Sequence, residues 1–185
     1  MRLRITSGIY GGRFIEAPQS DLTRPTTGRV KESVFNYLTN RMSFDDITVL
    51  DLYSGSGSLG LEALSRGAAK IIFVEKNLSP FKVLQKNISS LEADGNCTIM
   101  KTSAVAYVKV CESGAFDLIL ADPPFFSYDI YEVWTTVIEK QLLKPGSYFI
   151  VERSIQTLEK DVAGFGLEPN RRLGDTCLYE YQRSE

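Results

Sequence analysis

Val49-Leu50-Asp51-Leu52-Tyr53-Ser54-Gly55-Ser56-Gly57-Ser58-Leu59-Gly60 reads as a buried strand that runs into a G-x-G-x-x-G turn and opens a helix. Glycines at such a turn let the backbone bend tightly and come close to a ligand, as cofactor-binding α/β sheets require. Leu59 to Arg66 continues as a compact helix, with Gly67 as its left-handed stop. Ile71-Ile72-Phe73-Val74-Glu75 is the following strand, and its acid stands 18 residues after Gly57, where a carboxylate can accept hydrogen bonds from ribose hydroxyls. Loop and acid suit a nicotinamide cofactor and S-adenosylmethionine alike, since each presents a ribose. Asp51 shifts the balance. A carboxylate beneath the glycine loop would repel a pyrophosphate but favours a ligand that carries a sulfonium and an ammonium.

Outward from this stretch, apolar runs alternate with longer mixed segments, the pattern of a mostly parallel sheet flanked by helices. Pro80 to Leu91 has Phe81, Leu84, Ile88 and Leu91 at helical spacing. Cys97 to Met100 is a short strand, Ala104 to Glu112 a helix, and Phe116 to Ala121 a strand stopped by Asp122-Pro123-Pro124. Tyr131 to Leu143 reads as a helix, Pro145-Gly146 as a turn and Ser147 to Glu152 as another strand. Leu167 to Leu173 and Thr176 to Gln182, joined by Gly174-Asp175, form an antiparallel hairpin. At the start, Leu3 to Gly8 and Arg13 to Ala17 flank Gly11-Gly12 as a small hairpin, and Val30 to Met42 is an amphipathic helix. The expected organisation is an amino-terminal hairpin and helix arm over 1–42 and a cofactor-binding domain over 43–185, forming one structural unit.

Composition narrows the chemistry. The 185 residues contain no histidine, which excludes Ser-His-Asp and Cys-His nucleophiles, histidine metal sites and imidazole shuttles. Cys97, Cys111 and Cys177 form no C-x-x-C pair, so no metal site is expected and the thiols read as reduced core residues. No run approaches the ~20 apolar residues of a membrane span, and the charged start lacks a signal-peptide core, so the expectation is a cytoplasmic protein. The net charge is −2, but residues 1–41 hold seven basic side chains against Glu16, Asp21 and Glu32. A basic arm on an acidic body suits a polyanion held at one edge. Arg13, Arg24 and Arg29 are its candidate phosphate contacts.

Asp122-Pro123-Pro124-Phe125 falls on the same sheet edge as the glycine loop. An exocyclic base amine is a poor nucleophile because its lone pair is delocalised into the ring. Asp122 and the carbonyl of Pro123 can each accept one amine N–H, with the prolines holding that carbonyl rigid, and Phe125 can stack on the base. Acceptors other than guanine stay open at this point, namely the N6 of adenine or the side-chain amide of a protein glutamine. So do a nicotinamide oxidoreductase, which would leave Asp122 to Phe125 idle, and an RNA-binding assembly factor without turnover.

Three segments together carry a family resemblance: Asp51 to Ala68, Asp122 to Phe125, and Arg24-Pro25-Thr26-Thr27-Gly28-Arg29-Val30-Lys31-Glu32-Ser33-Val34-Phe35-Asn36. The chain resembles the RsmD-type 16S ribosomal RNA guanine-N2 methyltransferases over essentially its whole length. The resemblance implies a Rossmann-like class I fold of seven strands with the last antiparallel, and methylation of one guanine N2 in small-subunit ribosomal RNA, free or within the assembling subunit. It further implies that Asp51, Ser54, Gly55, Gly57 and Glu75 hold S-adenosylmethionine and that Asp122, Pro123, Pro124 and Phe125 are catalytic, in a protein expected to be a monomer. The family usually places an acid after the third strand to bond the cofactor's adenine; Ser103 stands there, and is carried as a cofactor residue.

Overall fold

The computed structural model describes residues 1–17 and 28–185, so the expectation for Arg24 lies outside the described residues. The chain opens with β1 (Arg2–Arg4) and β2 (Phe14–Glu16), an antiparallel pair with Arg2 opposite Glu16. After α1 (Gly28–Thr39) the alternation begins: β3 (Thr48–Leu52), α2 (Ser58–Ser65), β4 (Lys70–Val74), α3 (Leu78–Ser90), β5 (Cys97–Met100), α4 (Ala104–Val110) and β6 (Phe116–Ala121). It continues through α5 (Ile130–Glu139), β7 (Leu143–Ser154) and α6 (Leu158–Phe165), and closes with the hairpin β8 (Arg171–Leu173) and β9 (Thr176–Gln182).

Seven strands form one sheet in the order β5-β4-β3-β6-β7-β9-β8, parallel except where β9 pairs with β7 and β8. The strands β3 and β6 are neighbours although β4 and β5 lie between them in sequence, and α/β sheets collect ligands at the strand ends beside such a reversal. Successive side chains of a strand face opposite sides. Val49, Leu118 and Ile150 pack on one side with Val34, Phe35 and Leu38 of α1, Leu61 and Leu64 of α2, and Leu84 and Ile88 of α3. Leu50, Ile119 and Val151 pack on the other with Val108 of α4, Trp134 of α5 and Phe165 of α6. Full burial of a side chain such as Phe35 is worth about 1.5–3 kcal/mol, which is why α1 is held to the sheet by Val34, Phe35 and Leu38. No helix among the described residues is long and apolar enough to cross a membrane.

Several boundaries differ from expectation, each for a local reason. The helix expected to reach Leu143 stops at Glu139, because Gln141 takes a left-handed φ of 53°. The expected Pro145-Gly146 turn lies inside β7, which pairs Leu143 with Phe116 and then, after a bulge, Tyr148 with Leu118. The proline sits at that irregularity, where its missing N–H does no harm. The helix α1 starts at Gly28 and ends at Thr39, two residues before and three short of the expected span. Of Leu167 to Leu173 only Arg171–Leu173 pairs in the sheet. Cys177 is buried, whereas Cys97 and Cys111 are only partly covered and do not belong to the deep core.

A buried carboxylate fastens the amino-terminal segment to the sheet. Glu62 of α2 is fully buried and accepts from Thr6 N at 2.9 Å, Thr6 Oγ1 at 2.6 Å and Ser7 N at 3.1 Å. Lys31 Nζ lies 3.0 Å and Arg66 Nε 3.1 Å from the same group, and Lys31 also donates to the Arg4 carbonyl at 2.8 Å. Burial alone would raise this carboxyl, but the Thr6 donors and Lys31 outweigh it and hold it below its ordinary value. One of the arm's positive charges, Lys31, is therefore consumed inside the fold.

Candidate active site

The glycine loop is shaped by alternating left-handed residues: Tyr53 at φ 57°, Gly55 at 55° and Gly57 at 80°. Tyr53 is not glycine, and holding it there costs about 1–2 kcal/mol, a strain tolerated where the chain must leave β3 abruptly. Ser54 stabilises the exit: its hydroxyl accepts from Val74 N at 2.9 Å and donates to the Asp51 carbonyl at 2.6 Å, stitching β3 to β4 beyond the ladder. Its hydroxyl thus works within the protein. Gly60 lacks a Cβ for a steric reason, since one would overlap the Phe73 ring and Ile71. That closeness lets the first turn of α2 settle on the sheet.

Asp51 occupies a position that alternation assigns to the apolar face under α2. The helix has no side-chain cap at Gly57; instead Asp51 Oδ2 accepts the Gly60 N–H at 2.9 Å, filling one of the open donors of the first turn. Burial pushes the Asp51 carboxyl up to about 8, opposed by the Gly60 amide and assisted by Asp122 and Glu75. An unfolded Asp51 ionises near its ordinary 3.8, so between about pH 4 and 8 the folded state holds the extra proton and this group's contribution to stability falls as pH rises. The stability of Asp51→Asn relative to wild type should therefore climb across that window in denaturant titrations of the ligand-free protein. A pH-independent difference would refute the assignment.

Glu75 is buried at the tip of β4, with Oε2 accepting from Gly55 N at 3.1 Å and Oε1 from Asn77 N at 2.7 Å. It braces the glycine loop, and a carboxylate retains further lone pairs for hydroxyl donors. Ser103 is the N-cap of α4, its hydroxyl accepting from Ala106 N at 3.2 Å. The side chain carried from the resemblance as an adenine contact is therefore engaged in starting a helix.

Asp122, Pro123, Pro124 and Phe125 leave β6 next to this loop. Register pairs Leu52 with Ala121 and Ala121 with Val151, so Tyr53, Asp122 and Glu152 follow at one level on three adjacent parallel strands. Asp122 is half-buried and acts electrostatically on both Asp51 and Glu152. Pro123 is buried and Pro124 exposed; Phe125 is half-buried, while Phe126 is the more exposed ring at 69 %.

The loop is pinned from below by residues that sequence reasoning missed. Arg153 of β7, with a fully buried side chain, donates to the carbonyls of Pro124 at 3.3 Å and Phe125 at 3.0 Å, leaving the Pro123 carbonyl outside its grip. Its Nε meets Asp161 Oδ1 of α6 at 2.9 Å, and Asp161 also accepts from Tyr131 at 2.7 Å and Thr157 at 2.5 Å. Asn87 of α3 is a second such residue: Nδ2 donates to the carbonyls of Ser56 and Glu16, both at 2.9 Å, and Oδ1 accepts Glu16 N at 2.8 Å. One amide ties the glycine loop to the arm. Each had a signal in the sequence, since Glu152-Arg153 puts charge at the end of an apolar strand and Asn87 falls on the stripe of Leu84 and Ile88.

Arg13 is exposed beside β2 and donates to the Ser90 carbonyl at 2.5 Å, with its guanidinium 5.7 Å from the Tyr10 ring centre. Arg29 is exposed in the first turn of α1. Neither pairs with Glu62, whose cations among the described residues are Lys31 and Arg66.

A family model described as "Conserved hypothetical protein 95" matches residues 3–182. Ribosomal RNA small subunit methyltransferase D of Escherichia coli K12 is 32% identical over 184 residues, covering 98% of this chain and 90% of that protein. The chain belongs to this RsmD family. The like-named Haemophilus influenzae member is 34% identical over 152 residues, spanning 81% of this chain and 78% of that one. Among solved structures, an Escherichia coli protein described as a methyltransferase, yhhF, superposes with a TM-score of 0.80 at 28% identity, covering 100% of this chain and 99% of that one. RsmD-type chains thus share the class I methyltransferase fold seen here, with the glycine loop and Asp122 side by side at its switch point.

Proposed function

We propose that the protein transfers a methyl group from S-adenosylmethionine to the N2 amine of a guanine in small-subunit ribosomal RNA. The observation that carries this reading is the placement of Asp122 one strand from Asp51 and its glycine loop, on a rigid proline turn gripped by Arg153. Three acidic side chains, Asp51, Glu75 and Asp122, gather where a cofactor would lie, an environment that opposes a pyrophosphate and suits a cation, which would draw Asp51 toward its charged form. The names of the Escherichia coli and Haemophilus influenzae relatives support ribosomal RNA as the acceptor class.

When bound, S-adenosylmethionine supplies an electrophilic methyl on a sulfonium. Glu75 orients the ribose, and Asp51, protonated near neutral pH in the ligand-free protein, is drawn to its charged form when a cation lies above the loop. Asp122 and the Pro123 carbonyl each accept one N2–H, which draws the amine toward a pyramidal form with its lone pair directed at the methyl. Phe125 or the exposed Phe126 stacks on the base. The bound cofactor would supply the methyl group, and Asp122 or water would take the proton that N2 gives up. Catalysis here is alignment, worth ~10⁵–10⁸ M in effective concentration when reacting atoms are held in line. The N2 edge is hidden in a paired guanine, so the base must be unpaired or flipped.

Incubating the purified protein with S-adenosylmethionine and unmethylated small-subunit RNA, then mapping modified nucleosides by mass spectrometry, should yield N2-methylguanosine at a single position. Methyl on adenine N6, or on protein alone, would overturn the reading. Arg13 and Arg29 are positioned to hold phosphates on the arm. Replacing both with alanine should weaken RNA binding and reduce the slope of log affinity against log salt by roughly 1–2; an unchanged slope would place the phosphates elsewhere.

A further inference from the structure

Glu152 lies near the end of β7 beside Asp122, and alternation from Ile150 turns its side chain toward the face that Asp51 also serves. It is only 9% exposed, and Oε2 has no hydrogen-bond partner among the described residues. Leaving a buried polar atom unpaired costs about 1–3 kcal/mol, and the fold gains nothing visible in return. Its neighbour Arg153 faces the other side of the sheet and pairs with Asp161. Burial, and then Asp122, hold the Glu152 carboxyl well above the usual carboxylate range. Burial thus favours its neutral form, which has one acceptor oxygen and one O–H donor.

A guanine whose N2 is held at Asp122 carries, next along the same edge, N1–H as a donor and O6 as an acceptor. We propose that Glu152 is a specificity-determining residue that reads this edge, accepting N1–H on one oxygen and donating its O–H to O6. The inference rests on the guanine-N2 reading above. It explains why a buried oxygen, Oε2, without a hydrogen-bond partner among the described residues lies beside the amine clamp: its partner arrives with the substrate. A glutamine amide presents the same donor and acceptor in the same order, whereas alanine presents neither.

The test compares wild type, Glu152→Gln and Glu152→Ala on unmethylated small-subunit RNA carrying either guanine or 2-aminopurine at the mapped position. 2-Aminopurine keeps the N2 amine but lacks N1–H and O6. Wild type should prefer guanine in kcat/KM by at least ~10-fold, the worth of one to two hydrogen bonds. Glu152→Ala should bring the ratio to within about threefold of unity, while Glu152→Gln keeps it and melts at or above wild type. A guanine preference that survives in Glu152→Ala, or a Glu152→Gln variant that melts lower with its ratio intact, would make Glu152 structural and overturn the inference alone. If wild type methylates neither RNA, the guanine reading falls and takes this inference with it.

Discussion

Replacing Asp122 with alanine should lower the single-turnover rate of methyl transfer by roughly 10²–10³-fold, the usual cost of losing one aligned polar group at a reacting centre. The loss arises in alignment, because with one N–H unclaimed the amine keeps its lone pair in the ring plane's π-system. Binding of S-adenosylhomocysteine should change little, since the glycine loop proposed to receive it is held by Ser54, Glu75 and Gly60. Asp122 raises the carboxyls of both Asp51 and Glu152, so its removal should bring both down. Asp122→Asn, which keeps one acceptor oxygen, should fall between the two. A rate within threefold of wild type for Asp122→Ala, measured with cofactor analogue binding intact, would remove Asp122 from the chemistry.

Arg153→Ala should cost about 3–5 kcal/mol of stability, because it strands the buried carboxylate of Asp161 and strips the donors from two loop carbonyls. Such a variant alone would say little about catalysis, since loss of fold lowers activity for any reason. The double replacement Arg153→Met with Asp161→Leu separates the two effects. Removing both charges and filling the space with apolar side chains should restore most of the stability, as exchange of buried ion pairs for hydrophobic contacts often does. The Asp122–Phe125 turn would still lack the guanidinium that fixes it, so methyl transfer should stay down by ~10²-fold, the effect of a displacement near 1 Å. Recovery of both stability and rate in the double variant would show that the pair serves folding only. Denaturant titration and single-turnover rates on the same preparations decide between these outcomes.

The fold was legible because its signals are local. An apolar run followed by Gly55, Gly57 and Gly60 can only be a buried strand turning into a helix, and Gly174-Asp175 between two β-rich runs can only be a hairpin. The β7 boundary was misread for the opposite reason: Pro145-Gly146 has the composition of a turn, yet the neighbouring strand β6 accommodates both residues at a bulge. The site divides in the same manner. Asp51, Glu75 and Asp122 could be named because each stands at a fixed offset from a strand end. Arg153, Asn87 and Glu152 could not, since what each one does depends on a partner 28 to 71 residues away or, for Glu152, on a neighbouring strand.

By itself the sequence determined the class of the fold, the sheet edge on which ligands gather and the residues that meet there, because strand periodicity, glycine turns and proline stops act over a few neighbouring residues. Only the tertiary structure decided how that edge is held and tuned. The grip of Arg153 on the Asp122–Phe125 turn, the bond from Gly60 to Asp51 and the buried Oε2 of Glu152 exist only after strands distant in the chain lie side by side and water has been excluded between them. Hydrogen bonding and charge acquire their strength from that exclusion, and no local pattern encodes it.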